Sequence, residues 1–279
     1  MKLYKKERKV FIEHEESFYV SELEWDVLVN HTHLFQYLLK HLSDCKKING
    51  IDAMDGWEAP IGSQELWAAG VTYLRSKEAR EKESAQSGGG SFYDKVYDAI
   101  RPELFFKSLP HRVSGSRAFV HIRRDSTWDV PEPELTLFIS SAGTIEGYTV
   151  GNDMSSRSIE GENPLYLAQA KVYDQSAALG PCLMVSEKPI DIQSLIHLKI
   201  FRDEQLIFSG ETSLSKMKRS LKELADFLFL ETTFSNGVML MTGTGIVPPD
   251  DFTLRVNDRV EISIDHIGTL INHVQIINR

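Results

Sequence analysis

The residues with the clearest chemical potential fall between Trp128 and Pro181. In Val130-Pro131-Glu132-Pro133-Glu134-Leu135, two glutamates stand two positions apart. In extended chain such side chains share a face, with their backbones about 7 Å apart. Pro133 has no N–H to donate, so the stretch belongs at a strand start or a sheet edge. Two carboxylates held side by side repel each other unless a cation lies between them. An all-oxygen donor set suits Mg²⁺, Mn²⁺ or Ca²⁺ better than zinc. The plainer alternative is a solvated acidic edge strand. Asp153 follows in Gly151-Asn152-Asp153-Met154-Ser155-Ser156-Arg157, where an apolar strand passes into a polar loop. Lys171 comes later, ahead of Leu179-Gly180-Pro181. Spacing alone does not choose Asp153 over Asp129 or Asp174 as a third carboxylate.

The elements that must position these groups divide near residue 62. Residues 1–62 read as a small α/β unit. Lys9–Ile12 is strand-like, and Leu34, Phe35, Leu38, Leu39 and Leu42 make one stripe of an amphipathic helix. Turn residues from Ser43 to Pro60 close this unit. Residues 63–279 are dominated by short apolar strands: Ala68–Tyr73, Ala118–Ile122, Leu135–Ile139, Glu146–Val150, Cys182–Val185 and Leu270–Ile277. Hairpins are expected at Arg202-Asp203-Glu204-Gln205 and at Asn257-Asp258. One clear helix starts at Ser220, where Ser220-Leu221-Lys222-Glu223 forms a capping box. The stretch 158–169 reads as an irregular connection. Residues 77–91, charged and then glycine-rich, read equally as a lid or as a surface linker. Many strands and few helices indicate an α+β fold built on a rolled or barrel-like mixed sheet.

Composition narrows the function classes. The 279 residues carry 31 Lys plus Arg against 40 Asp plus Glu, a net charge of −9. Nucleic-acid binding needs clustered basic residues, and this balance supplies no such footprint. The two cysteines, Cys45 and Cys182, form no CxxC pair, which argues against a thiolate zinc site. Neither a signal-peptide run at the start nor an apolar stretch of membrane-spanning length is present, so the expectation is a cytoplasmic protein. His31 and His33 lack a third ligand motif and read as surface or interface residues. No Gly-x-Ser-x-Gly elbow sets up a nucleophilic serine.

Taken together, the Glu-x-Glu, the Asn152-Asp153-Met154-Ser155-Ser156-Arg157 phrase, and Lys171 before Leu179-Gly180-Pro181 resemble the fumarylacetoacetate hydrolase superfamily. Gly70-Val71-Thr72-Tyr73 and Leu240-Met241-Thr242-Gly243-Thr244-Gly245 extend the likeness over roughly residues 67–279 in one order. The phrases Arg101-Pro-Glu-Leu-Phe-Phe-Lys107 and Asn152 to Tyr166 are most similar to the branch of 2-keto-3-deoxy-pentonate (arabinonate or xylonate) dehydratases. The resemblance implies that Glu132, Glu134 and Asp153 bind Mg²⁺. It also implies that Lys171 meets the 2-oxo-acid end of the substrate and that Thr244 bonds the substrate carboxylate. Three carboxylates and a divalent cation sum to −1, so an anionic substrate needs Lys171. A homodimer, or a dimer of dimers, is implied by the same likeness.

One departure from the superfamily bears on the reaction. Its hydrolases and decarboxylases carry a histidine three residues after the tyrosine of an early Gly-x-Asn-Tyr motif. Here Thr72 replaces the asparagine, and Ser76 stands in the histidine position. Serine is no general base at neutral pH, so the hydrolytic dyad is missing. A dehydratase instead needs a base for the proton on C3, a cation on the 2-oxo oxygen and an acid for the leaving hydroxyl. Glu103 is the candidate base, with Leu104, Phe105 and Phe106 around it to raise its pKa. Ser76 and Lys107 are candidates to orient sugar hydroxyls. The expected activity is a Mg²⁺-dependent lyase that dehydrates a 2-keto-3-deoxy sugar acid, arabinonate or xylonate, to 2,5-dioxopentanoate. A C–C bond hydrolase or oxaloacetate decarboxylase, using His111 or His121, is the nearest alternative, and a non-catalytic 2-oxo-acid binding protein is a third.

Overall fold

A computed structural model describes residues 1–50, 56–77 and 95–277. All but the first residue of the glycine-rich 77–91 segment lies outside the described residues. The architecture is mixed α/β, rich in sheet with few helices. An eleven-stranded sheet runs Lys46–Ile48, Ser17–Ser21, Lys9–His14, Lys2–Lys6, Ala177–Met184, Ile145–Asp153, Pro133–Ile139, Val238–Met241, Glu65–Gly70 and Glu103–Ser108, with Val113–Ser114 added beside Ala177–Met184. A five-stranded sheet, Gln205–Ser213, Leu195–Arg202, Arg259–Ile264, Gly268–Gln275 and Phe119–His121, packs on one of its faces.

The two-residue period of the strands explains the layering. Leu135, Leu137, Ile139 and Val150 point to one face and meet Ile196, Leu198, Val260 and Ile262 of the five-stranded sheet. Phe138, Met239, Met241 and Leu179 point to the other face and join Leu3, Trp25, Leu28, Leu34 and Leu38 in a second core. The first strand pairs with Ala177–Met184 in the register Lys2↔Met184. The described residues of 1–62, read from sequence as a small unit of their own, share a sheet and a core with strands of the larger C-terminal part.

Two expectations are corrected locally. The stretch 158–169 is not irregular: helix Arg157–Glu162, the 3₁₀ turn Pro164–Tyr166 and helix Leu167–Lys171 run in succession. Each is too short for apolar periodicity to announce it, and only the capping oxygens of Ser156 and Asn163 mark their starts. The Asn257-Asp258 turn does not join two strands, because Leu254–Val256 is not a strand. The hairpin there pairs Arg259–Ile264 with Gly268–Gln275 instead. By contrast, the turn at Asp203-Glu204 forms as expected, both residues having positive φ.

Candidate active site

The strand register assembles the acidic cluster. Pro133 pairs with Asn152 and Glu134 with Gly151. One step further, Glu132 and Asp153 exchange both backbone bonds, N–H to carbonyl, at 3.2 and 3.0 Å. Glu132 and Asp153 are thus directly opposed, and Glu134 lies on the same face two positions on. One carboxylate oxygen from each of the three lies within 4.8 Å of the others, and all three side chains are buried. Among the described residues this is the one such group of metal-capable side chains. Neither Asp129 nor Asp174 joins it. Asp129 is buried beside Ser156 in a separate two-stranded pairing, and Asp174 pairs with Arg112 at 3.3 Å.

Buried cations surround the cluster. Lys171, at the end of helix Leu167–Lys171, donates to Glu132 Oε2 at 2.5 Å, Asp153 Oδ2 at 3.2 Å and Ser155 Oγ at 2.5 Å. Arg157, the first residue of helix Arg157–Glu162, donates to Glu132 Oε1 at 2.7 Å. Lys107 pairs with Asp153 Oδ1 at 2.5 Å and donates to the carbonyls of Met154 and Lys171. Burial lowers the Lys107 ammonium from its usual range, with Asp153 pulling the other way. Glu134 accepts from the Gly243 N–H at 2.6 Å. Burial, and then the neighbouring Asp153 and Glu132 carboxylates, push the Glu134 carboxyl well above its ordinary range. The donor set fits a hard divalent ion: it holds carboxylate oxygens only, in a place where negative charge is costly without a cation.

The cluster opens into a narrow cleft lined by Gly70, Ser76, Phe105, Lys171, Gly243 and Thr244, among others. Val71, also on its wall, has φ +54°, a strained value for a β-branched residue. Gly243 has φ +92°, and a side chain there would collide with Thr72 Oγ1. That hydroxyl donates to the Thr242 carbonyl at 2.7 Å. Thr72 thus ties the early loop to the Gly-Thr-Gly loop. Glu103 opens the strand Glu103–Ser108 opposite Gly70, and a side chain at Gly70 would collide with the Glu103 carboxylate. Glu103 therefore lies folded against the cleft wall.

The structure gathers Glu132, Glu134, Asp153, Lys171, Ser76 and Thr244 at one cleft and sets Glu103 beside it. The Ser76 hydroxyl donates to the Tyr73 carbonyl at 2.8 Å and accepts from the Tyr73 N–H at 3.3 Å. Thr244 Oγ1 bonds both backbone groups of Ile246. Lys107 is fully buried behind the carboxylates rather than on the cleft wall. Sequence reasoning gave Arg157 no role. The signal available was electrostatic: three buried carboxylates and one lysine left charge to be balanced.

Comparison with known proteins bears on this geometry. Residues 80–275 match the fumarylacetoacetate (FAA) hydrolase C-terminal family. The chain belongs to this family. It is 47% identical over 216 residues to the probable 2-keto-3-deoxyxylonate dehydratase of Haloferax volcanii, covering 77% of this chain and 73% of that protein. It is 42% identical over 218 residues to the 2-dehydro-3-deoxy-D-arabinonate dehydratase of Saccharolobus solfataricus, with the same coverage of both chains. Among solved structures, a 2-keto-3-deoxy-D-arabinonate dehydratase complexed with magnesium and 2,5-dioxopentanoate aligns over the full length of both chains, with TM-score 0.85 and 32% identity. Among the described residues, no helix is long and apolar enough to cross a membrane.

Proposed function

We propose that this protein is a Mg²⁺-dependent hydro-lyase that dehydrates 2-keto-3-deoxy-arabinonate or -xylonate to 2,5-dioxopentanoate. The observation that carries the reading is the 47% and 42% identity to two dehydratases over three quarters of the chain. The buried carboxylate triad supports it. Glu132, Glu134 and Asp153 would hold the ion. When bound, Mg²⁺ supplies Lewis acidity that polarises the 2-oxo group and acidifies C3.

The chain's own residues do the rest. Lys171 meets the 2-oxo-acid end of the substrate, and the Gly243-Thr244 loop takes its carboxylate. Glu103 removes a proton from C3. Loss of the C4 hydroxyl as water then leaves a C3–C4 double bond. A proton shift from C5 to C3 then gives the C4–C5 enol, and transfer of its hydroxyl proton to C4 gives the aldehyde, so the net change is loss of one water. Ser76 is assigned to orient a sugar hydroxyl. Lys107 holds Asp153 from behind, so its part is positioning rather than the substrate contact expected from sequence. Arg157 does the same for Glu132.

Charge balance favours this assignment. The triad and the three cations bonded to it sum to zero, so a divalent ion leaves +2. An ionised Glu103 lowers this to +1, and a carboxylate substrate brings it to zero. Moving the C3 proton to Glu103 redistributes charge without changing that total. The reading includes a cytoplasmic setting, expected from the sequence, and assembly as a dimer or dimer of dimers, implied by the family resemblance. The test follows 2,5-dioxopentanoate formation from both sugar acids with and without EDTA. Metal-dependent turnover is expected. Failure with both acids, together with brisk acylpyruvate cleavage, would reassign the protein to the C–C hydrolases.

A further inference from the structure

A buried arginine outside the acidic cluster holds the segment that leads into Glu103. Arg219 is buried, and its guanidinium donates to three backbone carbonyls: Val96 at 3.1 Å, Ala99 at 2.6 Å and Ile100 at 3.1 Å. Glu223 Oε1, at 2.6 Å, balances its charge. Lys218 grips the same segment, donating to the Tyr97 carbonyl at 2.6 Å and to Asp98, with its ammonium 4.0 Å from the Tyr97 ring centroid. The Lys218 backbone also reaches the cleft. Its N–H donates to the Thr72 carbonyl at 2.9 Å, and the adjacent Met217 bridges to Tyr73. Tyr73 in turn carries both hydrogen bonds of the Ser76 hydroxyl.

The stretch Met217–Arg219 thus touches both chain segments that flank the Gly70–Glu103 pairing. One is the Thr72–Ser76 turn, which leaves the strand at Gly70. The other is Val96–Ile100, which enters the next strand at Glu103. The Glu103 carboxylate lies against Gly70, so its position depends on how these two segments are held together. A planar guanidinium sharing three carbonyls is a fixed fork that lysine cannot reproduce.

We infer that Lys218 and Arg219 form a two-armed clamp that positions Glu103 for proton transfer, without taking part in metal binding. The inference rests on the reading of Glu103 as base, and two measurements keep the failures apart. Hydrogen exchange tests the clamp itself. Arg219→Ala should speed exchange at least tenfold in peptides covering 95–104 and leave those covering 132–153 unchanged. Steady-state kinetics tests the coupling. Arg219→Ala should lower kcat at least tenfold, with the calorimetric Kd for Mg²⁺ within twofold of wild type. In a Glu103→Gln background the same change should cost no further activity, and Arg219→Lys should recover only part of the loss.

Unchanged exchange at 95–104 would overturn the clamp. An equal fold loss in both backgrounds, or a fall in Mg²⁺ affinity that tracks kcat, would overturn its role in positioning Glu103. Loosened exchange beside a fully active Glu103→Gln enzyme would sink the base assignment and leave the clamp standing. Should Arg219→Ala fail to fold, Lys218→Met carries the same comparison, since it removes one arm and keeps the buried fork.

Discussion

Asp258 and Glu134 are both buried carboxylates, and their surroundings differ. Asp258 accepts both ends of the Arg202 guanidinium, at 2.8 Å each, and the Arg255 N–H at 2.8 Å. Its charge is closed off within the protein, and the pair staples the turn after Leu254 to the strand Leu195–Arg202. Glu134 receives one backbone N–H and faces two other carboxylates, while the nearby cations bond to Glu132 and Asp153 instead. One region has committed its electrostatics to structure. The other keeps a carboxylate short of a partner, which is the condition a divalent ion can relieve. Substitutions on either side should therefore separate activity from stability.

The largest effect belongs to the acidic side. Glu134→Gln removes a donor from the triad and should abolish calorimetrically detectable Mg²⁺ binding, with turnover falling about 10³-fold or more, near 4 kcal/mol. Folding should survive, because one charge fewer relieves repulsion. Retained Mg²⁺ affinity would erase the contrast between the two carboxylates. Next comes Glu103→Gln, which takes away the assigned base: kcat should fall by about 10²–10⁴ with Mg²⁺ binding intact. A parallel loss of metal would move Glu103 into the ligand set.

The structural side gives the opposite signature. Arg202→Ala leaves Asp258 buried without its cation and should cost about 3 kcal/mol of stability by chemical denaturation. The Kd for Mg²⁺ and the kcat of the folded fraction should stay near wild type. A selective loss of activity would show that this pair also serves the site.

The same contrast explains what could be read from the residues in advance. That Glu132 and Glu134 share a face follows from strand periodicity, which is local and needs no partner. The choice of Asp153 over Asp129 and Asp174 depends on cross-strand register, set by the pairing of Pro133–Ile139 with Ile145–Asp153 and visible only through family likeness. Lys107 and Arg157 arrive from a different strand and a one-turn helix, so no spacing rule links them to the triad. The Asn257-Asp258 turn misled because the turn itself forms, with the Arg255 N–H on Asp258, but Leu254–Val256 before it joins no sheet, and Asp258 is held across the fold by Arg202. At Ser76, residue type argued against a base, but whether its hydroxyl is occupied by its own turn was a matter of tertiary geometry.

Asp129 lies between these extremes and gives the smallest expected change. It is buried, its Oδ1 has no hydrogen-bond partner, and burial raises its pKa from 3.8 to about 6, against the pull of Ser126 and Arg123. The folded state therefore holds the proton more tightly than the unfolded chain does. This favours folding at low pH, and the advantage is lost as pH rises from about 4 through about 6. Above that window the ionised carboxylate is a standing cost. Asp129→Asn should then raise stability at pH 8 by about 1–2 kcal/mol, less than the full pKa difference implies, because a buried amide is still polar. Near pH 4 the variant and wild type should converge. Denaturation curves at the two pH values decide the matter. A variant less stable at pH 8 would mean that Asp129, like Asp258, is paired to a purpose, and that its ionised carboxylate is satisfied within the protein rather than left as a cost.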